Sequence, residues 1–203
     1  MASENTLKTA RALFRKHGGM LRTSAAIRLG IQPRTLYAMR DSGMLKQVGR
    51  GLYRLSDLPP LGNPDLVQVA LKVPQGVICL ISALAFHGIT TQVPHEVYLA
   101  LEQKKAKKPK LKHPPLRAFW LSGKAFSDGV ETHWIDGITV RLYGPEKTVA
   151  DCFKYRNKIG LDVAIEALRL CLQRKRSRVD TLMHFARVCR VEKVMRPYLE
   201  AML

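Results

Sequence analysis

Apolar positions recur along this chain with two periods, and the switches between them mark its elements. In 6–16, Leu7, Ala10, Leu13 and Phe14 repeat at the helical spacing, and Gly18-Gly19 ends the run. Met20-Leu21 predicts a short strand, and Ser24 stands where an N-cap belongs. A helix-turn-helix is predicted over 24–45 (SAAIRLGIQPRTLYAMRDSGML). Ala26 is small where the two helices cross. Gly30 supplies the positive φ of a tight turn, Pro33 suits the first turn of the second helix, and Gly43 closes it. Leu36 and Met39 share one face and pack on the first helix. The outer face then holds Arg34, Thr35, Ala38 and, more obliquely, Tyr37, in reach of base edges and phosphates. At 45–48 and 52–55 the period becomes two, about Gly49-Arg50-Gly51, which predicts a hairpin with a cation at its tip. A hairpin in that place makes the unit a winged helix. Arg50 is then set to enter a minor groove or meet phosphate.

Prolines and a glycine interrupt 56–64 (SDLPPLGNP), so the chain divides into a domain over 1–58, a linker over 59–63 and a second domain over 64–203. Asn63 and Pro64 open a helix with Leu66, Val67, Ala70 and Leu71 on its inner face. A short strand at 76–80 and a small buried helix, SALAFH, follow. Strands are predicted at 95–101, 117–121, 130–134 and 138–143, with Asp136-Gly137 as a tight turn, in a mainly antiparallel sheet. Gly144-Pro145-Glu146 starts a helix running to about Lys158 with Val149, Ala150, Cys152 and Phe153 inward. Asp162 caps the next, to about Leu172. Another covers 180–188, and Pro197 starts or kinks the last. No period repeats. The fold class is α+β: an amino-terminal winged helix-turn-helix domain, then a mixed α/β domain with an antiparallel sheet and carboxy-terminal helices.

Composition sharpens this. Of 203 residues, 46% are hydrophobic and 25% charged, which fits a packed chain rather than a disordered one. The net charge of +18 favours a polyanionic partner, nucleic acid before an anionic membrane. Residues 1–60, which hold the motif, carry 11 Lys/Arg against 3 Asp/Glu. Six lysines crowd 104–112 among prolines, in a loop that either adds phosphate contacts or only solubilises. A second basic cluster, RKRSR at 174–178, reads as a linker. The start of the chain lacks the apolar core of a signal peptide, and the longest apolar stretch, 77–89, is too short to span a bilayer. A cytoplasmic protein is expected. Only 7% of residues are aromatic, which argues against single-strand recognition.

Candidate catalytic chemistry is sparse. Cys79, Cys152, Cys171 and Cys189 form no CxxC pair and read as buried free thiols. Ser82 and Ser122 lack a GxSxG elbow, and the six histidines show no HExxH spacing. His87, in an apolar helix, reads as a satisfied core residue. Glu102-Gln103-Lys104 at a strand end is the one nuclease-like string, the acid for magnesium and the lysine for developing charge. Its nearest acid on that strand, Glu96, is about 20 Å away along an extended chain, too far to share a metal. The expectation is no enzyme and no cofactor, with a metal-dependent nuclease carrying a winged-helix targeting domain as the alternative.

SALAFHG, HEVYLAL and above all RLYGPEKTVADCFKYRNKIGLDVAIEALR, with the amino-terminal motif, resemble the AbiEi family of antitoxins and transcriptional regulators. The resemblance implies a repressor that binds operator DNA, on inverted repeats, through its amino-terminal domain. It implies a carboxy-terminal domain that neutralises a nucleotidyltransferase toxin without a stable complex, and no membrane partner. By position it carries DNA contact onto Gln32, Arg34, Thr35, Tyr37, Ala38, Lys46 and Arg50. The shared GPEKTVADC segment falls on 144–152 and includes Glu146, Lys147 and Asp151. That segment reads either as a helix start that packs the domain or as an antitoxic surface. With no strong dimerisation helix, a monomer is expected in solution.

Overall fold

The first helical run becomes α1 (Glu4–Lys16), followed by β1 (Met20–Arg22), α2 (Thr23–Arg28), α3 (Pro33–Asp41), β2 (Leu45–Gly49) and β3 (Leu52–Leu55). These come from a computed structural model that describes residues 4–59, 61–103, 109, 111, 113–174 and 178–203. Its backbone forms two compact units. One runs to Leu71 and includes Trp134–Ile138, and the other comprises Lys72–His133 and Thr139–Leu203.

In the first unit Phe14, Ala26, Leu36 and Met39 are fully buried and join Ala10, Leu45, Tyr53 and Leu55 in one core. Removing such apolar surface from water is what holds three short helices together. β3 is the central strand of an antiparallel sheet, with Leu21 opposite Tyr53 and Leu45 opposite Leu55. A bulge lies between Gln47 and Gly49, beside the turn. Ser24 does not cap α2. The helix begins one residue earlier at Thr23, whose N–H and hydroxyl both donate to the Gly51 carbonyl, at 2.8 and 3.2 Å. The start of α2 is thereby fixed to the hairpin turn rather than to its own cap.

The remaining elements are α4 (Pro64–Lys72), β4 (Val77–Ile78), α5 (Leu80–His87), β5 (Val97–Glu102), β6 (Leu116–Leu121), α6 (Lys124–Ser127), β7 (Val130–Ile135), β8 (Ile138–Tyr143), α7 (Pro145–Lys154), α8 (Arg156–Ile159), α9 (Leu161–Leu172), α10 (Val179–Val188) and α11 (Glu192–Glu200). The five strands lie in the order β6-β5-β4-β8-β7. β4 and β5 are antiparallel, and β7 and β8 form a hairpin on Asp136-Gly137, both at positive φ. The sheet is mixed, however: β5 runs parallel to β6, and β4 to β8. Parallel neighbours need a connection of roughly a dozen residues, which the stretch between Glu102 and Leu116 provides. The lysine-rich sequence between them carries no apolar period, so nothing in it announces a crossover.

α7 packs against α5, α9, α10 and α11 and buries Val149, Ala150, Cys152 and Phe153. It stops at Lys154 rather than near Lys158, because Tyr155 leaves helical geometry at φ −102°, ψ 16° before the single turn of α8. β4 is shorter than expected because Leu80, at φ +46°, turns the chain into α5. Asp162 is the second residue of α9, whose cap position is Gly160, and Pro197 lies inside α11. The lysines at 104, 105, 107, 108, 110 and 112, and residues 175–177 of the second basic cluster, lie outside the described residues. Among the described residues no helix is long and apolar enough to cross a membrane.

Candidate nucleic-acid interface

Along α3 the buried residues are Thr35, Leu36 and Met39, leaving Gln32, Arg34 and Tyr37 exposed and Ala38 half-buried. Thr35 is the correction. It was expected on the outer face, but it lies four residues before Met39, on the same helical stripe, and only 4% of it is exposed. Base-edge contact from Thr35 is therefore withdrawn. Lys46 is exposed on β2, and Arg50 is exposed at the turn beside Gly51, whose φ is +63°.

The cations of this unit divide into two sets. Lys8 pairs with Glu4 at 2.8 Å. Arg11 and Arg15 both reach Asp57, at 2.6 and 2.8 Å, and their hydrogen bonds hold its carboxyl down at about 2. Arg40 pairs with Asp41 at 2.7 Å and lies 5.1 Å from the centre of the Tyr37 ring. The guanidinium of Arg54 donates to the Pro59 carbonyl. Arg34, Lys46 and Arg50 have no ion pair with any described residue, and neither does Arg28, exposed in the last turn of α2. Lys8, Arg11 and Arg15 of α1 and Arg40 of α3 are thus matched by acids within the unit, whereas Lys16, Arg22, Arg28, Arg34, Lys46 and Arg50 have no ion pair with a described residue and are left for solvent or for a partner. Arg28 was missed in the sequence. Its signal was a cation ending the helix before the turn, where it sits near the negative end of the dipole and reads as a capping charge.

The second candidate set is not a surface. Lys147 and Asp151 are buried at 0% and 1% exposure, as an ion pair of 2.5 Å one helical turn apart. Lys147 Nζ lies 4.0 Å from the Tyr143 ring centre, and Cys189 Sγ donates to the other Asp151 oxygen at 3.2 Å. Burial raises the Asp151 carboxyl while the ammonium beside it opposes the rise. Gly129 makes room for this group: a Cβ there would stand 2.8 Å from that of Lys147. Glu146 is half-buried. The GPEKTVADC segment accordingly packs the second unit, with Pro145 at the first helical position and Thr148 donating back to the Gly144 carbonyl at 2.8 Å.

His87 donates from Nε2 to the Tyr143 carbonyl at 2.8 Å, and burial lowers its pKa, which favours the neutral ring. All four cysteines are buried and outside any disulfide. Glu102 closes β5, Glu96 near its other end pairs with Arg117 at 3.5 Å, and Lys104 lies outside the described residues. Among the described residues no three His, Cys, Asp or Glu side chains come together as a metal-ligand set.

None of the curated proteins matches this chain. Its fold is similar to that in the crystal structure of the RV2827C protein from Mycobacterium tuberculosis, with a TM-score of 0.55 over 98% of this chain and 82% of that one. At 13% identity that likeness concerns the fold alone. Residues 8–56, from within α1 to just past β3, match a family model described as "Transcriptional regulator, AbiEi antitoxin". Over residues 8–56 the amino-terminal unit is thus similar to the AbiEi antitoxin and transcriptional-regulator family.

Proposed function

We propose that the protein is a DNA-binding transcriptional repressor and antitoxin whose first unit works as a winged helix-turn-helix. α3 enters the major groove with Gln32, Arg34, Tyr37 and Ala38 toward the bases, while Lys46 and Arg50 on the hairpin meet the backbone. The observation that carries this reading is the division of charge. Arg28, Arg34, Lys46 and Arg50 have no acid to satisfy them within the described residues, while Lys8, Arg11 and Arg15 on the outer face of α1 do. Unmatched cations beside an exposed helix are what a polyphosphate recruits. The family match over residues 8–56 supports the regulatory role.

The second unit counters a nucleotidyltransferase toxin without a lasting complex, and the chain is a monomer that places two copies on an inverted repeat. Burial of Lys147 and Asp151 means that any antitoxic surface uses other residues.

A gel shift with the upstream promoter and a scrambled duplex tests the repressor role. The promoter binds tighter, and Arg34→Ala loses about 1–3 kcal/mol of that preference if Arg34 reads guanine. Equal binding of both duplexes ends the sequence-specific reading. Co-expression with the neighbouring toxin tests the antitoxin role, and growth arrest that the protein fails to relieve ends it.

A further inference from the structure

The amino end of α3 opens into a groove of about 550 Å³ against α1, whose walls include Asn5, Gln32, Arg34 and Thr35 and whose floor includes Ala10 and Ile31. Two independent features of this groove point to an anion. The first is the uncapped helix start. Gln32 makes no side-chain cap bond, Pro33 has no N–H, and the first helical bond runs from Leu36 to Gln32. The N–H groups of Arg34 and Thr35 are therefore left without an acceptor among the described residues, at the positive end of the α3 dipole. The second is Thr35 itself. It is 4% exposed and lines the groove, yet its hydroxyl has no hydrogen-bond partner among the described residues. Thr35 Oγ1 is not among the side-chain atoms sealed from water without a partner, so on this otherwise buried residue the hydroxyl opens to solvent at the groove and is free to donate to an acceptor there. Arg34, which has no ion pair among the described residues, also lines the groove, and no acidic side chain among the described residues does.

We propose that this groove binds a phosphate group. Two N–H groups and the hydroxyl at one helix start are donors along one groove, and a tetrahedral phosphate offers enough acceptor oxygens to take all of them, with the positive charge of Arg34 beside it. The group comes either from the backbone of a duplex or from a free phosphoryl species. In its duplex form the inference rests on the DNA-binding reading; in its free form it does not.

The test is an amide-resolved NMR titration of the full chain with inorganic phosphate against chloride at matched ionic strength. The Arg34 and Thr35 amides shift saturably with phosphate only. Thr35→Val, which removes the hydroxyl at constant shape, weakens this about tenfold, the size expected for one hydrogen bond to a charged group. Thr35→Ser retains it. A random-sequence duplex then separates the sources. If Thr35→Val weakens every duplex by one common factor, the ligand is a backbone phosphate. If duplex affinity is unchanged while phosphate binding falls, it is a free phosphoryl group. Shifts with phosphate no larger than with chloride, or Thr35→Val binding phosphate as tightly as the native chain, overturn the proposal. Persistent phosphate shifts in a protein that does not tell promoter from scrambled DNA leave this site standing and remove the operator reading.

Discussion

Lys147 and Asp151 are the most consequential pair of single residues in the second unit. Neither reaches water, so each is tolerable only because the other is 2.5 Å away. Lys147→Met strands a buried carboxylate and should destabilise the protein by about 3–5 kcal/mol in urea unfolding. Adding Asp151→Leu should recover most of that loss, because an apolar pair of similar volume removes both desolvation costs. Asp57 is the opposite case, exposed and held by two arginines. Its folded carboxyl titrates near 2 against an ordinary 3.8, so the folded state binds the proton less readily than the unfolded one. The stability it contributes is therefore complete above about pH 4 and is lost as pH falls toward 2. Melting curves between pH 5 and 2 should show a smaller acid loss for Asp57→Asn than for the native chain.

At the scale of the element, α3 is set by its two ends and its inner stripe. Thr35, Leu36 and Met39 fix which way it faces, and the turn at Gly30 fixes where it starts. Gly30 has φ +89° and open space around its missing Cβ. Gly30→Ala should therefore cost about 1–2 kcal/mol from backbone strain alone, without a clash. Measured well below its melting midpoint, the variant should bind DNA as the native chain does. A large affinity loss in a still-folded variant would mean that the turn itself touches DNA.

For the whole molecule, the formal charge of +18 overstates what is available for binding. In the first unit Lys8, Arg11 and Arg15 are committed to Glu4 and Asp57. If Arg28, Lys46 and Arg50 each neutralise one phosphate, log affinity should fall against log salt with a slope of about −3 per bound chain. Arg50→Ala should reduce the magnitude of that slope by about 1, whereas Arg15→Gln should leave it unchanged. A native slope near −8 would instead bring in basic segments beyond this set.

Local chemistry settled a good deal. The period of Leu7, Ala10, Leu13 and Phe14, the Gly30 turn, Pro33, and the Gly49-Arg50-Gly51 tip each act within a few residues, so α1, α3 and the hairpin could be read from the chain alone. The helix start at Gly144-Pro145 was legible for the same reason. Tertiary structure decided what depends on distant partners. Asp57 quenches two cations more than forty residues away. The parallel pairing of β5 with β6 joins strands whose connection carries no apolar signal. The burial of Lys147 beside Asp151 puts into the core a segment that reads first as packing and only second as an antitoxic surface. Spacing along a chain records which side chains share a face. Whether that face meets water, an acid or another helix is fixed only once the rest of the chain has packed against it.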